Sequence, residues 1–222
     1  MKQNYLARFF RVLYVTLIVL VVHTIPVCAQ NNHEMTDAEV DSFLDRLSQR
    51  ASEVSTISAR FEQVKKMEML KSDMVSHGRF LYAKENKVAF LYEKPGKYAM
   101  IMNGAYLKME TASGSSKMDL SANPIMKQMQ ELITAVFTGS LNQSAGSYDI
   151  SFSHSEEEIV ASVKPRSARL QSIISIISIV FEENSADVKE ISVKEGSGST
   201  TKYRFYDQKI NQIIDNEIFR IN

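Results

Sequence analysis

The sequence predicts an α+β fold: a large curved antiparallel sheet of roughly ten strands with two or three α-helices, one inserted midway through the strands. Three observations carry this. Residues 78–109 hold four short apolar runs, GRFLYA, KVAFLYE, KYAMIM and AYLKM, separated by Lys84-Glu85-Asn86, Lys94-Pro95-Gly96 and Asn103-Gly104. Asn-Gly between apolar runs is a strong hairpin signal, because a tight primed turn needs residues that tolerate positive φ. Two longer stretches carry apolar residues at helical spacing between capping residues. Finally, several strands are apolar on both faces: Val88, Phe90 and Tyr92 alternate with Ala89 and Leu91, and Tyr98, Met100 and Met102 with Ala99 and Ile101. Such a sheet must cover one face and use the other, or bury both.

In chain order, Thr36-Asp37-Ala38-Glu39 reads as a capping box, with Thr36 as N-cap and Glu39 three residues on. Val40, Phe43, Leu44, Leu47, Ala51 and Val54 continue a helical stripe to about Ser55. Residues 56–66 alternate as a strand that continues through Met67 to Leu70, with a loop at 71–73 and the next strand from about Val75. After the four central strands, Ala112 to Ser116 reads as a flexible loop. Asn123 and Pro124 then open a second helix as N-cap and first helical residue, and Gly139 ends it. Its apolar stripe includes Met126, Met129, Leu132, Ile133, Val136 and Phe137. That stripe fits either a fixed sheet-covering helix or a movable cover over a ligand, since methionine adapts its shape to repacking surfaces. Alternation returns at Tyr148, Ile150 and Phe152, and again at Ile159, Ala161 and Val163. Residues 166–170 read as a turn or one helical turn. The β-branched run Ile173 to Phe181 reads as a strand buried on both faces. A strand from Val188, a hairpin turn at 196–199, a returning strand over Lys202 to Tyr206 and a short segment ending at Ile218-Phe219 complete the chain.

The chain has 222 residues, with 26 basic and 26 acidic. A balanced charge gives no footprint for nucleic acid or an acidic membrane surface. Residues 1–29 read as a cleaved secretory signal: Lys2, Arg8 and Arg11, then the apolar run Val12 to Val22, then Val27-Cys28-Ala29 before Gln30. The alternative, an uncleaved anchor, needs roughly 20 apolar residues, more than this run supplies. Ile25-Pro26-Val27 before Cys28 is not a lipoprotein signal, so lipidation is not expected. Cleavage after Ala29 removes the one cysteine and leaves 23 basic against 26 acidic residues. Residues 30–222 are expected to form a single domain without disulfides.

No catalytic set is visible. His33, His77 and His154 lack metal-like spacing, and there is no G-x-S-x-G, Walker A loop or G-x-G-x-x-G. Ser199-Thr200-Thr201-Lys202 matches S-x-x-K in spelling only, and Glu156-Glu157-Glu158 reads as a solvated turn. No enzyme activity, metal or cofactor is expected. The positive signal is a soft, aromatic lining for a hydrophobic cavity beneath the helices, formed by Phe61, Phe80, Tyr82, Val88, Phe90, Tyr92, Met100 and Met102. Met126, Met129 and Ile133 are its expected lid residues.

The order of elements resembles the LolA family of periplasmic lipoprotein carriers. The resemblance rests on the signal peptide, the amphipathic first helix, Ala59-Arg60-Phe61-Glu62-Gln63, Gly78-Arg79-Phe80-Leu81-Tyr82, Phe90, Pro95 and Asn103-Gly104. Arg169-Leu170 and Tyr203-Arg204-Phe205-Tyr206-Asp207, followed by Asn211, look more like a branch associated with export of other lipids and pigment-lipids. The resemblance implies an incomplete, open antiparallel β-barrel of about ten to eleven strands, covered by two to three α-helices. It implies a monomer in the periplasm of a Gram-negative (diderm) bacterium. Such a carrier takes acylated lipoprotein from an inner-membrane export transporter to an outer-membrane acceptor; the alternatives are a carrier of a glycolipid or polyene lipid, or an envelope binding module that transports nothing. The family's buried aromatic strand corresponds to Val88 and Phe90. Its lid-latching arginine, followed by proline, falls at Lys84, followed here by Glu85. Lysine is a point donor without the planar fork of arginine, so Lys84 is either a weaker latch or an ordinary turn residue.

Overall fold

The computed structural model describes residues 33–70, 72–122, 124–141, 146–155 and 157–221, with only the backbone of Pro124, Ile125, Met126 and Met129. The expected leader, the Asn123 cap and the Met126 and Met129 side chains lie outside the described residues.

Strand β1 (His33–Glu34) leads into α1 (Asp37–Glu53). Strands β2 (Thr56–Lys66), β3 (Met74–Ala83), β4 (Lys87–Lys94), β5 (Tyr98–Asn103), β6 (Tyr106–Thr111) and β7 (Gly114–Asp119) follow as a meander. Helix α2 (Pro124–Thr138) precedes β8 (Tyr148–Ser155) and β9 (Glu158–Pro165). The single turn α3 (Ala168–Gln171), then β10 (Ile174–Glu182), β11 (Val188–Glu195), β12 (Thr200–Ile210) and a 3-10 turn (Asn216–Phe219) finish the chain.

All 12 strands join one sheet in the order β1-β8-β9-β10-β11-β12-β2-β3-β4-β5-β6-β7. Each neighbouring pair is antiparallel, from β1 with β8 to β6 with β7. The two ends do not pair, so the sheet is an open barrel. Helix α2 connects β7, at one edge, to β8, which lies beside β1 at the other. The cover is therefore tied to both sides of the opening. The two halves join where β12 pairs with β2, which sets Phe205 opposite Phe61.

The capping box forms: the Thr36 amide donates to Glu39 Oε2 at 2.8 Å, and the Glu39 amide donates to Thr36 Oγ1 at 3.4 Å. Gly139 ends α2 with φ +67°, and a Cβ there would lie 2.7 Å from the Leu47 carbonyl oxygen, because α2 ends against the backbone of α1. In the β5–β6 hairpin, Asn103 pairs with Tyr106, leaving Gly104 and Ala105 at the tip. Gly104 has φ +56° and Asn103 does not enter the positive region, so the turn sits one residue later than an Asn-Gly primed turn places it.

Register puts the expected apolar residues on one inner face: Phe80 opposite Phe90, Phe90 opposite Met100, and Met100 opposite Met109. The outer face is covered as well. Ile214, Ile218 and Ile221 pack around the buried residues Leu81, Ala89, Ile101 and Phe219. The Asn103 side-chain amide donates to the Phe219 carbonyl at 3.0 Å, and Lys108 Nζ to that of Arg220 at 3.2 Å.

Three local expectations change. Residues 67–70 form a turn rather than the end of β2. The stretch read as a loop at 112–116 turns at its start and enters β7, whose side chains are all exposed; pairing with β6 makes it a strand without any apolar alternation. Finally, β10 is fully buried only on its inner face, at Ile177, Ile179 and Phe181, while Ser178 and Val180 opposite are half-buried and Ile173 precedes the strand, exposed.

Candidate binding cavity

Helix α2 lays Leu132, Ile133, Val136 and Phe137 toward the inner face of the sheet, the i, i+1, i+4, i+5 positions of one helical stripe. Phe137 stacks on Phe80 with ring centroids 5.1 Å apart and on Tyr82 at 5.3 Å. Beyond this contact the helix bridges the sheet without filling the space beneath it. A cavity of about 280 Å³ lies there, between α2 and the strands β4, β5 and β10–β12. Its sheet wall is made by Phe90 and Met100 on one side and Ile174, Ile177, Ile179, Ile191 and Val193 on the other, with Tyr203 and Phe205 between. A second space of about 150 Å³ adjoins it, lined by Val88, Met102, Leu107 and Leu120 and sharing Phe90, Met100 and Ile133 with the first. No lining residue of either space carries a charge. An apolar cavity of about 150 Å³ already accepts benzene, so the joined space suits a longer apolar guest.

Phe90 is half-buried at the junction of the two spaces. Its ring meets Phe61 at 5.5 Å, Phe80 at 5.1 Å and Tyr203 at 5.3 Å. The other expected lining residues divide by position. Val88, Met100, Met102 and Ile133 line the spaces. Phe61, Phe80, Tyr82 and Tyr92 are buried in the aromatic layer beside them, where their rings meet one another's neighbours rather than the opening. The isoleucines and valines of β10 and β11 were missing from the sequence-based lining. Their alternation is visible in the chain, but only the β12–β2 pairing brings them opposite Phe90.

Tyrosine hydroxyls add a polar seam at one end. Tyr92 and Tyr203 hydroxyls lie 3.0 Å apart, and the Tyr92 ring stacks on Tyr98 at 4.0 Å. Burial pushes the phenols of Tyr92, Tyr203, Tyr98 and Tyr82 upward, further still from neutral pH, where a phenol is uncharged in any case. Among the described lining side chains none makes a nucleophile–base pair or a metal set; what the walls offer a guest is apolar contact.

The C-terminal end of α1 is fastened from three sides. Arg50 makes a two-point contact with Asp187 in the β10–β11 turn, at 2.9 Å and 3.2 Å. Lys84 Nζ, just past β3, donates to the Ser52 carbonyl at 2.9 Å. Asn211 accepts from the Ser55 amide at 2.7 Å and donates to the Glu53 carbonyl at 3.0 Å. These are the orphan carbonyls of a helix end and the amides just beyond it, satisfied by side chains from separate strands.

A family model described as outer membrane lipoprotein carrier protein LolA matches residues 52–222. Among solved structures, the chain is similar to a LolA superfamily protein from Nitrosomonas europaea, at 10% identity and a TM-score of 0.42, covering 80% of this chain and 97% of that one. A putative outer membrane lipoprotein-sorting protein domain from Vibrio parahaemolyticus matches at 10% identity and a TM-score of 0.42, covering 81% and 96%. The MucA/MucB complex of Pseudomonas aeruginosa matches at 12% identity and a TM-score of 0.49, covering 84% of this chain and 62% of that one. No curated protein matches the sequence.

Proposed function

The chain belongs to the LolA family, and from that membership we propose that it is a periplasmic carrier that shields lipoprotein acyl chains and ferries them from the inner to the outer membrane. The observation that supports this reading is the uncharged cavity of about 280 Å³ under α2, joined to a second of about 150 Å³. An acyl chain cannot cross water uncovered. Burial is worth roughly 0.8 kcal/mol per methylene, so a 16-carbon chain gains on the order of 12 kcal/mol gross. Release requires that the net gain be smaller.

In this reading α2 is the cover and α1 its support. A guest larger than the resting space displaces α2 from the sheet and gives up contacts such as Phe137 on Phe80 and Tyr82. That loss tunes affinity down. Lys84 acts as the latch: its bond to Ser52 holds the end of α1 against which α2 terminates at Gly139. Cargo would arrive from an inner-membrane export transporter and leave to an outer-membrane acceptor. Among the described residues no helix is long and apolar enough to cross a membrane.

The test is mass spectrometry of organic and tryptic extracts of the protein purified from its own cell envelope. Acylated lipoprotein recovered with the native chain, and lost from Phe90→Glu, is the expected result. Recovery of a glycolipid or polyene lipid in its place keeps the carrier and replaces the cargo. A chain that carries no lipid and binds no fluorescent acyl probe ends the transport reading.

A further inference from the structure

At the corner of the sheet away from the cavity, the two-residue strand β1 sets His33 directly across from His154 of β8. Their rings stack with centroids 4.9 Å apart and planes 21° from parallel. Glu39, in the first turn of α1, reaches the same point: one ligand atom from each of His33, Glu39 and His154 lies within 4.8 Å of the other two. The surroundings hold these groups in position. Glu39 Oε2 accepts from the Thr36 amide and hydroxyl, both at 2.8 Å, which leaves its other oxygen for a ligand. His154 turns Nδ1 toward Glu183, 3.7 Å from its Oε1, which leaves Nε2.

We propose that His33, His154 and Glu39 form a binding site for a divalent transition-metal ion of the zinc class. Two imidazole nitrogens and one carboxylate are the donor set such ions select, with a fourth position for water. A carboxylate beside the second nitrogen of a ligating histidine is the usual way its ring is oriented, and Glu183 stands there. Tetrahedral zinc with bonds of about 2.0–2.2 Å needs ligand atoms roughly 3.3–3.5 Å apart. The ligand atoms lie within 4.8 Å of one another, so coordination requires the exposed His33 side chain to turn toward the other two. The bland reading is a cross-strand aromatic pair next to a capping glutamate. It explains the stacking and the placement of Glu39, but leaves the second carboxylate, Glu183 at His154 Nδ1, without a purpose. Sequence spacing could not show the site, because the pairing of β1 with β8 creates it. Bound metal would fasten β1, β8 and the start of α1 together, stabilising the folded state by mass action.

The experiment titrates tag-free, chelator-stripped protein with Zn²⁺ and, separately, with Co²⁺. One ion per chain is expected, with a visible cobalt absorption band and a melting temperature that rises with zinc. His33→Ala and His154→Ala should each weaken zinc at least about 10-fold and abolish the cobalt band. Glu39→Gln keeps the capping box, since glutamine serves at that position, and should weaken zinc by a similar factor. The double variant His33→Ala/His154→Ala controls for His77. Native protein that binds zinc no more tightly than this variant overturns the proposal; if the double variant does not fold, equal affinity in the exposed-site variant His33→Ala overturns it instead.

Discussion

Phe90→Glu puts a carboxyl at the junction of the two apolar spaces. In the empty protein that carboxyl reaches water, because Phe90 is only half-buried. A bound alkyl chain would strip the water away, and a buried carboxylate without a partner takes up a proton instead. At pH 7 protonation costs about 1.36 kcal/mol for each of the roughly 2.7 pH units above an ordinary glutamate pKa, close to 3.7 kcal/mol. Affinity for an acyl probe with an uncharged headgroup should therefore fall by about 500-fold at pH 7. At pH 5 the same cost shrinks to about 1 kcal/mol and the loss to about 5-fold, beyond a pH-independent part from the missing ring. Phe90→Gln cannot escape by protonation, so its loss should stay flat between the two pH values. Probe titration at pH 5 and pH 7 reads all three proteins. The lost ring contacts with Phe61, Phe80 and Tyr203 are worth about 0.5–1.5 kcal/mol each, so thermal unfolding must accompany the titration. If Phe90→Glu fails to fold, Met100→Glu, half-buried against the same two spaces, carries the test. A folded glutamate variant that binds the probe at pH 7 as tightly as the native chain refutes the assignment of these spaces as the binding site.

Three other perturbations test the framework around the cavity. Gly139→Ala forces a Cβ to 2.7 Å from the Leu47 carbonyl and 2.8 Å from Ser48 Cα at φ +67°; it should cost about 2–4 kcal/mol, read as a fall in the urea midpoint, and an unchanged midpoint would deny the α1–α2 crossing. Lys84→Ala removes one exposed bond to Ser52 and should lower stability by no more than about 1 kcal/mol while speeding probe release by about 2–5-fold; stopped-flow release at the native rate removes Lys84 from the latch role. Burial pushes Tyr148 up to about 12, with Glu131 adding to the shift. A group whose folded pKa is raised stabilises the fold fully below its unfolded pKa and loses that contribution as pH rises, here between about pH 10 and 12. Melting temperature should hold to about pH 10 and then fall, less steeply in Tyr148→Phe.

Much of the fold is legible locally. Thr36 and Glu39 fix the start of α1, and Pro124 and Gly139 bracket α2, because caps act within a few residues of chain. The four central strands are legible because turn residues separate alternating apolar runs. β7 is not, since Gly114–Asp119 has no apolar alternation and becomes a strand only by pairing with β6. The cavity was half legible for the same reason. Phe90, Met100 and Met102 announce one wall, but the opposite wall depends on β12 meeting β2, a contact between the two halves of the chain. Phe61 and Phe80 look like lining by composition and sit instead in the aromatic layer, because Phe90, Phe137 and Phe205 close over them. The family membership is what supports reading the cavity as that of a lipid-binding, carrier-type protein; apolar volume alone would suit many guests.

The two faces of the sheet are apolar in sequence but are covered in different ways, and the difference decides which one can take a guest. The outer cover is the C-terminal segment, packed down on Leu81, Ala89 and Ile101 and fastened by hydrogen bonds from Asn103 and Lys108 to its backbone. Lifting it would break both hydrogen bonds and expose Phe219 together with the apolar residues it covers. The inner cover is α2, joined by chain to opposite sides of the open barrel and held over the cavity by Leu132, Ile133, Val136 and Phe137. Lifting it breaks hydrogen bonds from Gln130 to the Gly104 carbonyl and from the Tyr148 hydroxyl to the Gln128 carbonyl at 3.1 Å, and otherwise exposes hydrocarbon, which an acyl chain would supply in return. In the proposed carrier, the exchange of protein–protein for protein–lipid contacts would then be close to balanced per unit area apart from those two bonds, which is the condition for loading and release without a covalent step.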